Sequence, residues 1–201
     1  MRDAHGFSAS DLERFLRAVD RYLGEEVSIV LIGGGAAAIA YKVDIGTTDL
    51  DTFGTPLQPL ELAMEQARAE TGLRIPVSDT AVAEVPIDYE DRLQRQLADL
   101  PRLTVFALEK HDLALSKAVR AEENDLAAMD ELHKLNPLDE GTLVTRYLNE
   151  MDQANGRRRG LDENFLLLIS RLYGEMPCSR ARRRIGERRK EQQANTLLRG
   201  L

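Results

Sequence analysis

Two aspartates that flank one apolar residue, Asp49 and Asp51 around Leu50, are the first side chains in the chain with a clear chemical use. In an extended segment alternate side chains share a face, so the two carboxylates project together while Leu50 points to the core. Carboxylates held side by side repel each other unless a cation neutralises them. Because Mg²⁺ takes one or two protein carboxylates and completes its shell with water and phosphate oxygens, the pair predicts a Mg²⁺ site.

Three glycines precede this acidic pair at the end of a short apolar run. The run VSIVLI over residues 27–32 predicts a buried strand, and Gly33, Gly34 and Gly35 follow it where a short helix begins. Glycine lets the backbone approach a ligand closely, and a helix N-terminus offers free N–H groups to phosphate. A phosphate cradle followed closely by a metal-binding pair predicts a nucleoside triphosphate site.

Two other glycine motifs fit this segment less well. A Walker loop ends in Gly-Lys-Ser or Gly-Lys-Thr, and the sequence contains neither. The spacing Gly33-x-Gly35-x-x-Ala38 satisfies the loose dinucleotide-binding pattern, but that motif requires a full crossover helix and an apolar second strand before its acid. Here only a short segment ending in Gly-Thr-Thr separates Gly35 from Asp49, which argues against dinucleotide binding.

The elements that must position these residues divide the chain into a mixed half and a helical half. Apolar spacing predicts helices over 8–23 and 59–72, and apolar runs predict strands at 27–32, around 50 and at 103–108. Residues 73–93, interrupted by Pro76 and Pro86, are expected as edge strands. Four amphipathic helices follow Glu109, and 178–200 forms a last helix or a frayed tail. The predicted class is α+β, with a small mixed β-sheet flanked by helices in residues 1–108 and a helical region in 109–201.

Charge is distributed unevenly along the chain. Residues 1–150 hold 15 basic and 28 acidic residues (net −13), whereas 151–201 hold 12 basic and 6 acidic residues (net +6). Such asymmetry indicates a polyanionic partner, either RNA or an acidic protein, although a solvated basic helix explains the same composition. The candidate contacts are the arginines of two clusters: Arg157, Arg158, Arg159, Arg182, Arg183 and Arg184.

Several classes of protein are excluded by composition. A single cysteine rules out an internal disulfide, and three scattered histidines give no zinc spacing. No apolar run is long enough to cross a bilayer, and the first residues lack a signal-peptide core. The expected location is therefore the cytoplasm, without a membrane partner.

The glycines and the acidic pair resemble the signature of the nucleotidyltransferase superfamily. The segments Leu31-Ile32-Gly33-Gly34 and Thr47-Thr48-Asp49-Leu50-Asp51 are most similar to those of AbiEii-like bacterial proteins, many of them toxins of toxin–antitoxin pairs. Many relatives carry serine or threonine where this chain has Gly35. Residues 111–132 (HDLALSKAVRAEENDLAAMDEL) are similar to a later helical motif of the same family, so the resemblance covers roughly residues 25–135.

The resemblance implies a role for each matched residue. Asp49 and Asp51 would hold Mg²⁺, Lys117 would contact the nucleotide phosphates, and Asp125 would anchor or orient that lysine. A third carboxylate would activate the attacking hydroxyl. Strand-like alternation over residues 84–88 makes Asp88 the first candidate, and Asp79 is the second.

The implied activity is Mg²⁺-dependent transfer of a nucleotide from a nucleoside triphosphate to RNA, with tRNA among the candidates, or to a protein hydroxyl. The resemblance further implies a toxin-like role with an antitoxin protein as partner. The alternative is a catalytically degenerate relative that keeps the fold as a binding or regulatory module.

Overall fold

A five-stranded mixed sheet forms the centre of the N-terminal half. The computed structural model describes residues 6–43, 46–80, 84–151 and 158–199. Along the sheet the strand order is β3-β2-β1-β5-β4. The bounds are Val27–Ile32 for β1, Leu50–Phe53 for β2, Val77–Thr80 for β3, Gln94–Gln96 for β4 and Leu103–Ala107 for β5.

Both parallel and antiparallel pairs occur in this sheet. The central strand β1 runs antiparallel to β2 and parallel to β5, while β3 runs parallel to β2 and β4 antiparallel to β5. The predicted α+β class with a small mixed sheet and a helical C-terminal region is therefore confirmed.

Eight α-helices complete the described chain, and their ends carry the expected signals. Ser8 caps the first helix through a capping box with Asp11, and Gly72, in a left-handed conformation, ends the third. The last helix extends to Arg199, so the basic tail is helical rather than frayed. The bounds are Ala9–Tyr22 for α1, Gly33–Tyr41 for α2, Glu61–Thr71 for α3, Lys110–Arg120 for α4, Glu123–Leu135 for α5, Glu140–Glu150 for α6, Arg158–Tyr173 for α7 and Glu175–Arg199 for α8.

The two faces of the sheet differ in what covers them. Side chains of α1 and α3, among them Phe15 and Met64, pack on the face that carries Leu31, Leu50 and Thr52. On the same side, buried Asp20 of α1 accepts hydrogen bonds from the backbone N–H groups of Arg102 and Leu103, which ties α1 to β5. Strand alternation turns the side chains between these residues, including that of Asp51, to the opposite face.

The C-terminal helices pack on one another around aromatic contacts. The rings of Tyr147 in α6 and Phe165 in α7 stack with centroids 3.9 Å apart, and Asp162 of α7 accepts hydrogen bonds from Tyr147 and from Arg189 of α8. Buried residues from α1 to α8 belong to one hydrophobic cluster. The division into domains at residue 109 stays a prediction. Across the ranges that the structure describes, no helix is long and apolar enough to cross a membrane.

Candidate active site

The turn from β1 into α2 brings a helix N-terminus against an acidic side chain. No loop separates Ile32 from Gly33, and the strand register pairs Ile32 with Asp51 of β2. Gly33 has a φ of 62°, a left-handed conformation that favours glycine, and a Cβ built there would lie 3.2 Å from Asp51 Oδ2. Ile32, at the cap position, makes no side-chain hydrogen bond to the first turn of α2. The first N–H groups of α2 therefore lack a side-chain cap beside a carboxylate, an arrangement that suits a phosphate with its cation.

The other two glycines allow the loop before β2 to pack against α2. A Cβ at Gly34 would lie 2.6 Å from Thr47 Oγ1, and one at Gly35 would lie 2.6 Å from Cδ2 of buried Leu50. Gly35 therefore faces β2 and not the acidic pair. A serine at this position would come too close to Leu50 in this packing.

Substitution of Gly35 is expected to destabilise the fold. Gly35→Ala inserts a methyl group into a packed contact, and we expect it to lower the free energy of unfolding by about 1–3 kcal/mol. The matched control is Gly186→Ala in α8, where nothing lies within 4 Å of an added Cβ. Alanine there is expected to raise the free energy of unfolding by about 0.5–1 kcal/mol. Urea unfolding of the two variants measures both values, and a Gly35→Ala variant as stable as the control contradicts the packing described.

The acidic pair lies at the start of β2 and carries unfavourable electrostatics. Asp49 precedes the strand and Asp51 lies within it, both partly buried. Burial and the neighbouring Asp51 carboxylate raise the pKa of Asp49, although a hydrogen bond from Thr48 and the charge of Lys117 act in the opposite direction. Asp51 Oδ1 accepts a hydrogen bond of 2.6 Å from Ser78 Oγ on β3. A bound cation would relieve the repulsion between these carboxylates.

The donor set at this pair fits Mg²⁺. The described ranges contain no group of three or more histidine, cysteine, aspartate or glutamate side chains that could hold a metal ion. A cation at Asp49 and Asp51 would therefore need water and phosphate oxygens as its remaining ligands, which is the usual way in which Mg²⁺ binds at nucleotide sites.

The two candidates for a third carboxylate, Asp88 and Asp79, stand differently in the structure. The strand predicted through residues 84–88 is wrong, since Asp88 has a φ of 63° and precedes a 3₁₀ turn over Tyr89–Arg92. Alternation therefore no longer supports Asp88, and its catalytic role stays a prediction. Asp79 pairs with Thr52, so it lies on the face opposite Asp51, where it accepts hydrogen bonds from Thr52 Oγ1 and from the backbone N–H of Thr55. The residue opposite Asp51 on β3 is Ser78, which no local sequence pattern indicates.

Lys117 and Asp125 form a buried ion pair next to this site. Lys117 Nζ lies 2.8 Å from Asp125 Oδ1, and the Asp125 side chain is only 3% exposed. Burial would raise the pKa of Asp125, but hydrogen bonds from Arg120 and Lys117 lower it below its ordinary value. Lys117 in turn acts electrostatically on Asp49. Contact between Lys117 and phosphate stays a prediction.

Arg120 is an additional cation, part of the helical motif over 111–132, to which the sequence analysis assigned no role. Its Nε and Nη2 atoms donate hydrogen bonds of 2.8 and 2.9 Å to the two oxygens of Asp125, while 62% of its side chain is exposed. The hydrogen bond to Asp125 raises the pKa of Arg120 against desolvation, and the charges of Asp125, Glu122 and Asp51 act in the same direction. Its position three residues after Lys117 in α4, on the same helix face, is the signal that would have indicated it.

A network of charged residues holds the start of α4, and with it Lys117, against the rest of the chain. Fully buried Asp112 accepts two hydrogen bonds from Arg92 and one from Arg146. Arg146 also donates to Glu109. His111 accepts the backbone N–H of Asp139 at Nε2, which leaves Nδ1–H to donate to Glu109. The network joins α4 to the 3₁₀ turn and to α6.

Stability at acid pH is expected to depend on Glu109. Burial would raise the pKa of Glu109, but hydrogen bonds from His111 and Arg146 lower it from 4.5 to about 2. Since the folded state holds the carboxylate ionised at lower pH than the unfolded state does, Glu109 stabilises the fold above pH 4.5, and this contribution is lost as the pH falls from 4.5 towards 2. Glu109→Gln should be less stable at neutral pH and should depend less steeply on pH in that range. Urea unfolding over a pH series measures both slopes, and identical slopes would count against the network.

The predicted basic contacts lie far along the chain from the acidic pair. Arg157 falls outside the described residues, and Arg158 begins α7 with its side chain undescribed. Arg159 is exposed and pairs with Glu163. Three consecutive exposed arginines of α8 have no ion-pair partner within the part of the chain that the structure describes: Arg182, Arg183 and Arg184.

A strand that runs straight into a glycine-lined helix start, with an acidic pair on the next strand, is the arrangement of the nucleotidyltransferase superfamily. Comparison with known families gives the same class: a family model described as "Nucleotidyltransferase of unknown function (DUF6036)" matches residues 10–163. The chain belongs to this family. No curated protein and no solved structure matches it. The matched range includes the glycines, the acidic pair, Lys117 and Asp125.

Proposed function

We propose that the chain is a Mg²⁺-dependent nucleotidyltransferase that transfers a nucleotide from a nucleoside triphosphate to a hydroxyl group of RNA, with tRNA among the candidates, or of a protein. The observation that carries the proposal is the placement of Asp51 against Gly33 at a helix N-terminus without a side-chain cap. The raised pKa of Asp49 supports it, because burial and the neighbouring Asp51 carboxylate disfavour the charge of Asp49, and a bound divalent cation would offset both effects.

Each residue would have a defined task in this reaction. Asp49 and Asp51 would hold Mg²⁺, which when bound would offset charge on the triphosphate and the leaving pyrophosphate. The N–H groups of Gly33, Gly34 and Gly35 would bind phosphate oxygens. Lys117, kept in place by Asp125, would add a positive charge on the same side, where it favours the charge that develops in the transition state.

The acceptor hydroxyl must lose a proton as it attacks the α-phosphate. Asp88 is the proposed base. The adjacent Tyr89 ring lies 5.7 Å from the ring of Phe53, two residues after Asp51 in β2. This contact supports Asp88 as a group near the carboxylate pair.

The proposed biological setting follows the AbiEii-like resemblance. The chain would act in the cytoplasm as the toxin of a toxin–antitoxin pair, with an antitoxin protein as its partner. The exposed arginines of α8 support contact with a polyanion such as RNA, because arginine binds phosphate without regard to sequence.

A second candidate function is a nucleotide-binding or regulatory module without catalytic activity. Ser78, and not a carboxylate, lies opposite Asp51 on β3, and Asp79 is turned to the other face of the sheet. A site that has lost its base could still bind a triphosphate.

Incorporation of labelled nucleotide tests the proposal directly. The full chain is incubated with Mg²⁺, each of the four labelled nucleoside triphosphates in turn, and either total RNA or a cell protein extract. We expect label in one acceptor class with the native chain and none with Asp49→Asn. Equal labelling by both proteins would falsify the proposed function. Calorimetric binding of a triphosphate without any transfer favours the binding module instead.

A further inference from the structure

A row of side chains crosses the face of the sheet that lies opposite α1 and α3, on the same side as Asp51. The register pairs Val30 of β1 with Phe106 of β5 and, continued by one residue, sets Phe53 of β2 opposite Val30. Phe53 pairs in turn with Thr80 of β3, and Phe106 with Arg95 of β4. Residues paired across strands project to one face, so all five strands contribute one side chain to this row.

The row is accessible, unlike the opposite face. Phe53, Val30 and Phe106 are each only partly buried, whereas their neighbours Thr52, Leu31 and Val105 are buried beneath α1 and α3 or in the core. Arg95 is exposed and has no ion-pair partner in the described ranges. This face thus presents two aromatic rings about 10 Å apart, separated by a valine and with an exposed guanidinium at one end. The ring of Phe53 also contacts that of Tyr89, whereas no ring contact is formed by Phe106 within the described ranges.

This composition is that of a platform for nucleobases. Aromatic side chains stack on the π-face of any base, and neighbouring cations contact the phosphates, which is how single-stranded nucleic acids are bound without sequence preference. The row is also continuous with the candidate active site, because Asp51 lies two residues before Phe53 on the same face of β2. A single-stranded nucleic acid stacked on the row would have one end next to the acidic pair.

A protein partner fits the row less well. A stable interface buries about 800 Å² on each side around an apolar centre. Here the apolar part is one strip of three side chains, bordered by polar Thr80 and Arg95 and by the neighbouring Ser28 and Thr104 on the same face. A strip of this width matches stacked bases better than a second copy of the chain.

We propose that Phe53, Val30 and Phe106, together with Arg95, form a binding platform for single-stranded RNA, which is the acceptor class of the transfer reaction. The assignment of this RNA as the acceptor of the transfer reaction rests on the proposed function. The binding itself needs no transfer and can be measured alone.

Fluorescence anisotropy of a labelled single-stranded oligoadenylate, without nucleoside triphosphate, tests the platform. Phe106→Leu keeps apolar bulk but removes the ring, so we expect its affinity to fall about five- to tenfold, the lower end of the effect of losing one base–aromatic stack. The matched control Phe106→Tyr keeps the ring and should bind like the native chain. Arg95→Gln should weaken binding and reduce the salt dependence by about one phosphate contact.

Further measurements separate the alternatives. An abasic oligonucleotide of the same length should bind the native chain more weakly than the oligoadenylate does. The Asp49→Asn variant should still bind the oligoadenylate, which distinguishes binding to the platform from catalysis. Thermal unfolding checks that Phe106→Leu and Phe106→Tyr are equally folded. The proposal is overturned if the native chain does not bind the probe, or if Phe106→Leu and the native chain bind it alike. It is also overturned if only a joint Arg182→Gln, Arg183→Gln, Arg184→Gln variant loses binding, or if sedimentation shows a dimer that Phe106→Leu dissociates.

Discussion

Asp51→Asn is expected to reduce nucleotidyl transfer by about 10³-fold, because a bound metal contributes several kcal/mol of charge stabilisation and each 1.36 kcal/mol is a factor of ten in rate. The amide keeps the size of the side chain and can still accept the hydrogen bond from Ser78. The substitution removes one of the two carboxylates that are predicted to bind Mg²⁺. Initial rates of label incorporation at saturating Mg²⁺ measure the effect.

Asp79→Asn is the matched control for this prediction. Asp79 lies on the adjacent strand, one residue beyond the partner of Asp51, but its carboxylate faces the other side of the sheet. The amide oxygen can still accept from Thr52 and from the backbone of Thr55, so transfer should continue near the native rate. If Asp79→Asn loses as much activity as Asp51→Asn does, the two side chains do not lie on opposite faces of the sheet.

Asp112→Ala is expected to lower the free energy of unfolding by about 3–5 kcal/mol, the usual cost of removing one partner from a buried ion pair. The carboxylate is fully buried, and the arginines that it neutralises, Arg92 and Arg146, are only 21% and 17% exposed. Without Asp112 these guanidinium groups keep Glu150 and Glu109 but lose the fully buried acceptor between them. Urea unfolding followed by circular dichroism measures the change.

An exposed ion pair supplies the comparison for Asp112. Asp99 accepts hydrogen bonds from both terminal nitrogens of Arg17, but its side chain is 65% exposed. Asp99→Ala should therefore cost far less stability than Asp112→Ala, since solvent screens such pairs. If the two alanine variants lose equal stability, burial does not govern the Asp112 network and the prediction fails.

Local sequence patterns predicted those elements that are determined by residues close together in the chain. The apolar run of β1, the Ser8–Asp11 capping box of α1 and the glycine at the end of α3 each act over a few residues, so the chain itself indicates them. The alternation of apolar residues from Val85 to Ile87 acted against a correct prediction. There the structure forms a turn with Asp88 in a left-handed conformation.

What the sequence did not reveal arises from pairing between distant segments. β4 has the polar sequence Gln-Arg-Gln and exists because it pairs with β5. The register of β3 on β2 decides that Ser78 meets Asp51 and that Asp79 does not, and shifting the register by one residue would exchange these two roles. Arg120 and the arginines around Asp112 likewise find their partners only through packing of helices on one another.

Because β1 lies between β2 and β5, the candidate active site can be complete only after β5 has been synthesised. β2 follows β1 closely in sequence, but β5 is separated from it by α2, β2, α3, β3 and β4. Pairing across such a long intervening segment is slow because the entropy of closing the loop is lost before the contact forms. In a nascent chain that ends before β5, the strand β1, which leads into the glycines and pairs with the strand of the acidic pair, would have one side unpaired. On a ribosome, therefore, the proposed transfer activity would stay latent until β5 and the helix carrying Lys117 had emerged.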